Sequence, residues 1–479
     1  MAAAKKPPHV LMVPHPAQGH IFSMLKLAQK LANEHGIAVT VANLEFIHRK
    51  IAEQSCGTGI RLISVPDGFE SPGDADDWLK MAECLEKVVP VQLRKLLEKQ
   101  KESAVGCDGE GHDQEISWVI ADAFASGAFV VATEMGIKSA ALWTASMDNL
   151  ALLLRLPQLI EAGTIDENGF LLNNLESISL SYGIPAWKIN ELTWNSPGAP
   201  DDTQKFLFTR FYINVSRYSH LFGCLLVNSF HELETSACQM FPDTLPIGPL
   251  VSEPDSRRHN NNNNNNVVVP AGSFWQQDST CVPWLDEQPP NSVLYVAFGS
   301  ITVVSQQQFS ELALGLEMTG KPFLWVIRPD FVKGSTTEFP QGFWERVGCR
   351  GKVVGWANQE AVLSHPATAC FVSHCGWNST LDGLCAGVPF LCWPYFVDQF
   401  HNRDSICEAW KVGLNLEADD ETRMVTRSEI ASKVGRLLSD DTIRCNSLRL
   451  RGSARDSVTE GGSSSFNFAS FVHRLCSLT

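Results

Sequence analysis

Residues 356–399 read WANQEAVLSHPATACFVSHCGWNSTLDGLCAGVPFLCWPYFVDQ, and this stretch decides the fold. Its apolar run Ala369–Val372 predicts a buried strand, which a polar, glycine-containing turn and a helix from about Trp377 follow. A second apolar run, Val388–Trp393, predicts the next strand. Alternating strands and helices of this kind are typical of a parallel α/β sheet, where ligands bind beyond the carboxyl ends of the strands.

The same stretch carries groups that suit the base, ribose, diphosphate and hexose of a nucleotide sugar, namely Trp356, Asn378, Ser379, Asp382, Asp398 and Gln399. Asn378 and Ser379 stand at the expected helix start, where backbone N–H groups favour an anion without a lysine. Asp382 lies one turn further on the same helix face, where its carboxylate could accept hydrogen bonds from a sugar. Trp356 offers a flat apolar face to a base ring.

Outside residues 356–399, the same alternation of short apolar runs and amphipathic segments fills the first third of the chain and its last 190 residues. A chain of 479 residues is too long for one hydrophobic core, so the sequence predicts two doubly wound α/β domains. Seven consecutive asparagines, Asn260–Asn266, predict a disordered linker between them. The expected parts are an N-terminal domain, a linker, a C-terminal domain and a last helix that packs back on the first domain: 1–247, 248–284, 285–460 and 461–479.

The amino-acid composition excludes several classes of protein. The 38 basic and 53 acidic side chains give a formal charge of −15, which argues against a bulk nucleic-acid binder. No window is apolar enough for a signal peptide or a membrane span, so we expect a soluble, cytoplasmic protein, and a monomer. The 14 cysteines include no C-x-x-C pair and favour buried, reduced thiols.

Several local motifs point elsewhere but lack their context. The segment 315–321 matches the first seven places of a P-loop, yet Pro322 stands where Ser or Thr must bind magnesium. The Asp74-Ala-Asp76 pattern resembles a metal–nucleotide motif but has no strand before it, and we interpret it as a solvated loop. A dinucleotide fingerprint, a G-x-S-x-G elbow and zinc-ligand spacing are missing from the sequence, which therefore predicts no metal and no nicotinamide cofactor.

The 356–399 stretch resembles the plant secondary-product signature of the family 1 UDP-dependent glycosyltransferases. The resemblance extends from His9 to the C-terminus apart from the asparagine tract. It implies the GT-B fold, in which two Rossmann-like domains face each other across a cleft and the C-terminal one binds most of the donor. In such a fold UDP-glucose is a co-substrate, and neither a metal nor another cofactor is required.

The resemblance also implies roles for single residues. Trp356 would stack on uracil, with Gln359 and the backbone of Ala357 near the base edge. The diphosphate would be bound by Ser300, His374, Asn378 and Ser379. The hexose hydroxyls would be bound by Asp398 and Gln399, with Trp377 nearby and Thr144 reaching the sugar from the N-terminal domain.

This sequence departs from the family at two places. Asp382 stands where the family usually has Glu, one methylene longer, so its contact with ribose is expected to be weaker or to need a small helix shift. The segment Ile21-Phe22-Ser23 replaces the usual Ile-Asn-Pro, close to the expected acceptor side. A Gln at the end of the signature, here Gln399, is associated with glucose as donor.

The expected catalyst lies in the N-terminal half. His20 opens a helix after a glycine and matches the P-x-x-G-H pattern of the family, while His15 in the preceding turn is the alternative base. Asp122 ends another predicted strand and is the expected partner of His20. An Asp beside a His fixes its tautomer and stabilises the imidazolium that forms when it takes a proton.

These features predict an inverting transfer of glucose from UDP-glucose to a hydroxyl of a small lipophilic acceptor, with flavonoids or phenylpropanoids as the expected class. Loops around 81–89, 143–150 and 182–195 are expected to form the acceptor pocket. Two alternatives are a non-catalytic binding protein, which has no need of the His20–Asp122 pair, and a glycosidase, which needs two carboxylates flanking the bond.

Overall fold

The computed structural model describes residues 7–52, 60–105, 115–251, 274–334 and 337–477. The chain forms two compact units, the first comprising Met1–Asn173, Asp201–Phe274 and Ser457–Thr479, and the second comprising Asn174–Pro200 and Trp275–Asp456. The asparagine tract, predicted to be a disordered linker, lies outside the described residues.

The described residues form strands and helices that alternate through most of the chain. The strands are β1 (His9–Val13), β2 (Ala38–Leu44), β3 (Ile60–Val65), β4 (Ile116–Asp122), β5 (Lys138–Trp143), β6 (Ser177–Ile178), β7 (Trp187–Lys188), β8 (Leu225–Val227), β9 (Leu245–Pro246), β10 (Val293–Ala297), β11 (Phe323–Val326), β12 (Gly351–Val354), β13 (Thr368–Ser373), β14 (Phe390–Cys392) and β15 (Gly413–Asn415). The helices are α1 (Gln18–His35), α2 (Glu45–Ile51), α3 (Trp78–Glu83), α4 (Val89–Val105), α5 (Ser126–Glu134), α6 (Met147–Glu161), α7 (Asp201–Leu207), α8 (Ile213–Tyr218), α9 (Thr235–Met240), α10 (Cys281–Asp286), α11 (Gln306–Met318), α12 (Phe343–Val347), α13 (Gln359–Ser364), α14 (Trp377–Ala386), α15 (Gln399–Asp404), α16 (Arg427–Ser439), α17 (Asp441–Val458) and α18 (Ser463–Ser477).

The first unit is built on a parallel sheet with the strand order β3-β2-β1-β4-β5-β8-β9. After β1 the chain adds β2 and β3 on one side and then returns to add β4 on the other. β1 and β4 therefore flank the point where the strand order reverses, and their carboxyl ends lie side by side, with Val13 paired to Ala121. Such a switch point is where open α/β sheets bind ligands.

Helix α18 is part of the first unit. Its apolar face, with Phe471 and Leu475 fully buried, joins the same core as α1 and the strands β1 and β2. The Asn467 amide also donates a hydrogen bond of 2.9 Å to the carbonyl of Pro246. The last described residues thus stabilise the unit that holds the start of the chain.

The second unit has a parallel sheet with the order β12-β11-β10-β13-β14-β15. Its switch point lies between β10 and β13, and Ala297 at the end of β10 pairs with Ser373 at the end of β13. The loops that follow these two strands therefore begin side by side. They contain Ser300 and His374, and helix α14 with Asn378 and Ser379, also predicted to bind the diphosphate, begins where the loop after β13 ends.

The segment 174–200 requires a correction to the predicted domain boundaries, which placed it in the N-terminal domain. It belongs to the second unit, because buried contacts attach it to α15. The Trp187 ring stacks on His401 with 4.0 Å between centroids and 6° between planes. Arg403 donates to both carboxylate oxygens of Glu191, at 3.1 and 2.6 Å. Hydrophobic periodicity does not indicate such contacts between residues 212 positions apart.

Replacing Glu191 by Gln should destabilise the second unit by roughly 2 kcal/mol, because the buried Arg403 guanidinium loses its bidentate partner and keeps only its ion pair with Asp404. The melting temperature measured by circular dichroism reports this loss. Lys188→Met is the matched control, because its side chain is 54% exposed and its ion pairs with Asp404 and, at 3.8 Å, with Glu191 contribute about 1 kcal/mol or less each. Equal shifts in the two variants would show that the Glu191 pair does not anchor the segment.

The segments interpreted above as misleading motifs have structural roles. Asp74 accepts hydrogen bonds from the N–H of Glu70, the N–H and hydroxyl of Ser71 and the Lys80 ammonium group. These bonds hold its pKa well below the usual range. Gly315 lies inside α11 against Ile430, which is a helix-packing position and not a phosphate loop.

Within the described part of the chain, the cysteines are free thiols, and most of them are buried. Among the same residues, no helix has the length and apolarity that crossing a membrane requires.

Candidate active site

His20 and Asp122 meet at the switch point of the first sheet. His20 lies in the first turn of α1, directly after β1, and Asp122 is the last residue of the neighbouring β4. The His20 Nδ1 and the Asp122 Oδ2 are 2.7 Å apart, and the other carboxylate oxygen accepts the N–H of Phe124 at 3.0 Å. Parallel strands therefore bring together two residues that are 102 positions apart in the chain.

The electrostatics of this pair favour a charged aspartate. Asp122 is 1% exposed, and burial alone would raise its pKa, but the charge and hydrogen bond of His20 outweigh burial and lower it. An ionised Asp122 accepts a hydrogen bond from the Nδ1–H group of His20, and in this tautomer Nε2 is the nitrogen that can take a proton. The His20 side chain keeps 24% exposure.

Thr144 joins the same group. It follows β5, the strand beside β4, and its hydroxyl oxygen lies 2.8 Å from the His20 Nδ1. The sequence predicted Thr144 as a contact of the donor sugar and did not predict this position beside the base. The role toward the sugar stays a prediction, while the contact shown is one that orients the imidazole.

His15, the alternative base, lies beside His20 with 5.0 Å between ring centroids. Its Nδ1 is buried and has no hydrogen-bond partner among the described residues. Burial, and to a smaller degree the charge of His20, lower the pKa of His15 to about 3, although Asp122 acts in the opposite direction. His15 is therefore neutral at physiological pH and lacks the carboxylate partner that His20 has.

The depressed pKa of His15 predicts acid sensitivity. Below its unfolded pKa of about 6.5 the unfolded chain binds a proton that the folded chain does not, so stability falls as the pH drops from about 6.5 toward 3. We expect the melting temperature to fall between pH 7 and pH 5, and to fall less in His15→Gln. The control is His35→Gln, whose side chain is partly exposed at the C-terminal end of α1. Parallel pH profiles for His15→Gln and the wild type would contradict this assignment.

The predicted diphosphate residues gather at the switch point of the second sheet. His374 follows β13, and its ring lies between the backbones of Gly299 and Gly376. A Cβ added to either glycine would come within 2.5 Å of the His374 Nε2. Burial lowers the pKa of His374 to about 4, with a smaller opposing effect from a hydrogen bond to the Ala297 backbone, so the imidazole is neutral. Gly299 and Cys375 adopt left-handed backbone conformations with φ of 68° and 65°.

Gln359, Ser379 and Asp382 form a second group, in which the start of α13 meets the first turns of α14. The Gln359 amide donates to the Ser379 hydroxyl at 3.0 Å and to an Asp382 carboxylate oxygen at 2.8 Å. Asp382 is 7% exposed and Ser379 is 9% exposed. The shorter Asp at position 382 is thus held by Gln359, a contact that links the predicted base and ribose contacts.

The predicted hexose contacts lie at the start of α15. Asp398 precedes this helix and accepts a hydrogen bond of 2.9 Å from Asn402, whose amide also donates to the carbonyl of Cys375. The Gln399 side-chain oxygen accepts the N–H groups of Tyr395 and Phe396 at 2.9 and 3.3 Å. These contacts fix both side chains.

The remaining predicted donor residues differ in exposure. Trp377 is 4% exposed and Ala357 is 5% exposed, while Ser300, Trp356 and Asn378 are partly exposed. The Trp377 ring lies 6.3 Å from the Trp410 ring. Its burial is that of a core residue at the start of α14, and its role near the hexose stays a prediction.

Comparison with known proteins assigns the family. The family model described as UDP-glucoronosyl and UDP-glucosyl transferase matches residues 280–472. UDP-glycosyltransferase 83A1 of Arabidopsis thaliana is 36% identical over 97% of this chain and 96% of its own length. This chain belongs to the UDP-glycosyltransferase family. A 7-deoxyloganetic acid glucosyl transferase of Catharanthus roseus is 34% identical over 98% of both chains.

Solved structures of plant UDP-glycosyltransferases agree with the fold. A UDP-glucosyltransferase from Polygonum tinctorium, described as capable of glucosylating indoxyl, superposes with a TM-score of 0.81 at 26% identity over 98% of this chain and 99% of that one. A transferase from Siraitia grosvenorii in complex with UDP superposes with a TM-score of 0.75 at 25% identity over 98% and 99%. The predicted fold class, GT-B with two Rossmann-like sheets, is confirmed, as is the assignment to UDP-glycosyltransferases.

The sequence reasoning missed two residues of the donor region in this UDP-glycosyltransferase. The Trp275 ring lies 6.4 Å from the Trp356 ring with 27° between planes, and the N–H of Asp278 bonds to the Trp356 carbonyl at 2.9 Å. Arg328, only 2% exposed, donates to the carbonyl of Ser300 at 2.7 Å. Neither residue stands in a sequence motif. Trp275 and Arg328 could not be predicted from the sequence, because the residues they contact are far from them in the chain.

Proposed function

We propose that this enzyme transfers glucose from UDP-glucose to a hydroxyl of a small lipophilic acceptor with inversion, forming a β-glucoside. The observation that carries the proposal is the hydrogen bond of 2.7 Å between His20 and the buried Asp122. A protein that only binds its ligand does not need an imidazole oriented by a buried carboxylate. An enzyme that removes a proton from an alcohol does.

In the proposed reaction the His20 Nε2 takes the proton of the acceptor hydroxyl while its oxygen attacks the anomeric carbon. The bond between that carbon and the diphosphate oxygen breaks, and the electron pair leaves with UDP. Asp122 stabilises the imidazolium, and Thr144 helps to hold the ring. A positioned base of this kind contributes roughly 10²–10⁴-fold to the rate.

Each part of the donor has a supporting feature in the second unit. Partly exposed Trp356 is proposed to stack on uracil, and the group of Gln359, Ser379 and Asp382 to contact the base edge, ribose and diphosphate. Asp398 and Gln399 are proposed to bind the hexose hydroxyls, because their side chains are fixed by backbone and Asn402 contacts. Fixed hydrogen-bonding groups lower the entropic cost of binding a polyhydroxylated ligand.

The aromatic surroundings of His20 support a lipophilic acceptor. The Phe124 ring lies 5.8 Å from the His20 ring, and Phe211 lies 6.2 Å from His15. Trp78, 52% exposed, extends this aromatic group at 6.4 Å from Phe211. In the predicted acceptor loop 182–195, Trp187 and Trp194 are fully buried while Tyr182 is exposed, and the role of this loop toward the acceptor stays a prediction.

The chemical class of the acceptor is tested by a panel. The relatives include a 7-deoxyloganetic acid glucosyltransferase and an (R)-mandelonitrile beta-glucosyltransferase, so the panel pairs flavonoids and phenylpropanoids with an iridoid acid and a cyanohydrin. Incubation with UDP-glucose should add one hexose to at least one acceptor, measured by mass spectrometry, and we propose a flavonoid or phenylpropanoid among them. No mass gain on any acceptor, despite measurable UDP binding, would contradict the proposed function.

We also propose that the transfer needs no metal ion and no cofactor besides the co-substrate. The proposed diphosphate contacts are hydroxyl, amide and imidazole groups at a helix start, which bind an anion directly. The oxygens of Asp74, in the one D-x-D pattern considered, are occupied by their own segment. We expect EDTA to leave the transfer rate unchanged. Strong inhibition that Mn²⁺ reverses would overturn this proposal.

A further inference from the structure

Arg328 is a buried cation that the proposed reaction has not used. It follows β11 and is 2% exposed. Its Nη1 donates to the Ser300 carbonyl at 2.7 Å, and its Nη2 donates to the Thr302 carbonyl. Its ion-pair partner Asp330, at 3.1 Å, is 61% exposed and therefore well screened by water. One guanidinium thus holds two carbonyl groups of a single turn.

That turn belongs to the proposed diphosphate site. It follows β10 directly after Gly299, whose backbone lies against the His374 ring. With both carbonyl oxygens bonded to Arg328, their partial negative charges are directed toward the guanidinium. Without this partner they would be released to turn toward a bound anion and repel it. Arg328 also lies near enough to His374 to contribute, after burial, to lowering its pKa.

The groups proposed to bind the diphosphate include no cationic side chain, and the amides of a helix start carry only partial positive charge. The residues proposed to bind the diphosphate, Ser300, His374, Asn378 and Ser379, include no lysine or arginine, and His374 is neutral. UDP gains negative charge as it leaves the sugar. A guanidinium keeps its charge at every physiological pH, and because Arg328 itself is buried, its charge is screened less than that of a surface residue and acts on an anion beyond direct contact.

We propose that Arg328 is a positioning residue that supplies the fixed positive charge of the diphosphate site, acting on the leaving nucleoside diphosphate through the Ser300–Thr302 turn. This inference rests on the proposed function, and it adds a residue outside the signature stretch to the donor site. It requires that Arg328 stabilises the diphosphate part of the ligand and not the nucleoside.

The test compares UDP with uridine as ligands of the full chain by isothermal titration calorimetry. We expect Arg328→Met to raise the Kd of UDP about tenfold, in line with the loss of a charge-assisted interaction, and to change the Kd of uridine less than about twofold. Arg328→Lys keeps the charge but cannot hold both carbonyls, so an increase of about threefold is expected for UDP alone.

Asp330→Asn is the matched control, because it removes the exposed partner of Arg328 and leaves the turn contacts in place. It should leave the Kd of UDP unchanged or lower it. Equal weakening of UDP and uridine in either Arg328 variant would overturn the inference, as would an unchanged Kd for both ligands. If Arg328→Met does not fold, Arg328→Lys decides. Wild-type protein that binds neither ligand would instead contradict the proposed function.

Discussion

His20→Ala should lower the rate of glucosyl transfer by about 10³-fold while the Kd of UDP stays within twofold of the wild type. The expected loss is that of a positioned general base, for which factors of roughly 10²–10⁴ are typical. UDP binding is expected to persist because the proposed UDP contacts lie in the second unit, whereas His20 lies in the first. Initial rates by mass spectrometry and calorimetric UDP titration measure the two quantities.

Two further variants make the His20 experiment specific. His35→Ala, at the other end of the same helix, should transfer glucose at the wild-type rate. His15→Ala tests the alternative base, and we expect a smaller loss than for His20→Ala, because a neutral His15 without a carboxylate partner is a weaker candidate. A His20→Ala enzyme with wild-type turnover, or a His15→Ala enzyme with the larger loss, would remove His20 from the role of base.

The proximity of His20 and Asp122 was predictable because it follows from strand order. Each residue comes at or just after the carboxyl end of an apolar run, and in a parallel sheet these ends share one edge. The sequence could not show that β1 and β4 are direct neighbours, but the doubly wound pattern made it the natural expectation. The grouping of His374 with Ser300 was implied by the family resemblance, and the pairing of β10 with β13 accounts for it.

The contacts that hold the candidate site in place could not be predicted from the sequence. Arg328, Trp275 and Glu191 lie outside any motif, and each acts through a partner 26 to 212 positions away in the chain. Local periodicity encodes which face of an element is buried, but not which distant polar group meets it there. For the same reason the segment 174–200 was assigned to the N-terminal domain, although it belongs to the second unit.

The second large effect is a loss of UDP affinity that we expect on substitution of Gly299, beside the proposed diphosphate site. Gly299→Ala should raise the Kd of UDP at least about tenfold. Its Cβ would lie 2.5 Å from the His374 Nε2, and its φ of 68° is unfavourable for any L side chain. Forcing a methyl group against a packed ring typically costs about 1–3 kcal/mol, and the His374 ring has little room to yield because Gly376 lies against the same nitrogen. We therefore expect the ring and the Ser300 turn to shift together, which calorimetric titration with UDP will detect.

Gly320→Ala is the control that separates steric displacement from backbone strain. Gly320 has a nearly identical φ of 66°, but a Cβ there would meet no atom within 4 Å. Both variants carry the strain of a left-handed alanine, of order 1–2 kcal/mol, so Gly320→Ala should lose thermal stability by that amount and Gly299→Ala by more, because the steric cost adds to the strain. Only Gly299→Ala should lose UDP affinity, because only there does the new methyl group press on His374. If the two variants bind UDP equally well, the wedged imidazole is not what shapes the diphosphate site, and the assignment of His374 to that site loses its main structural support.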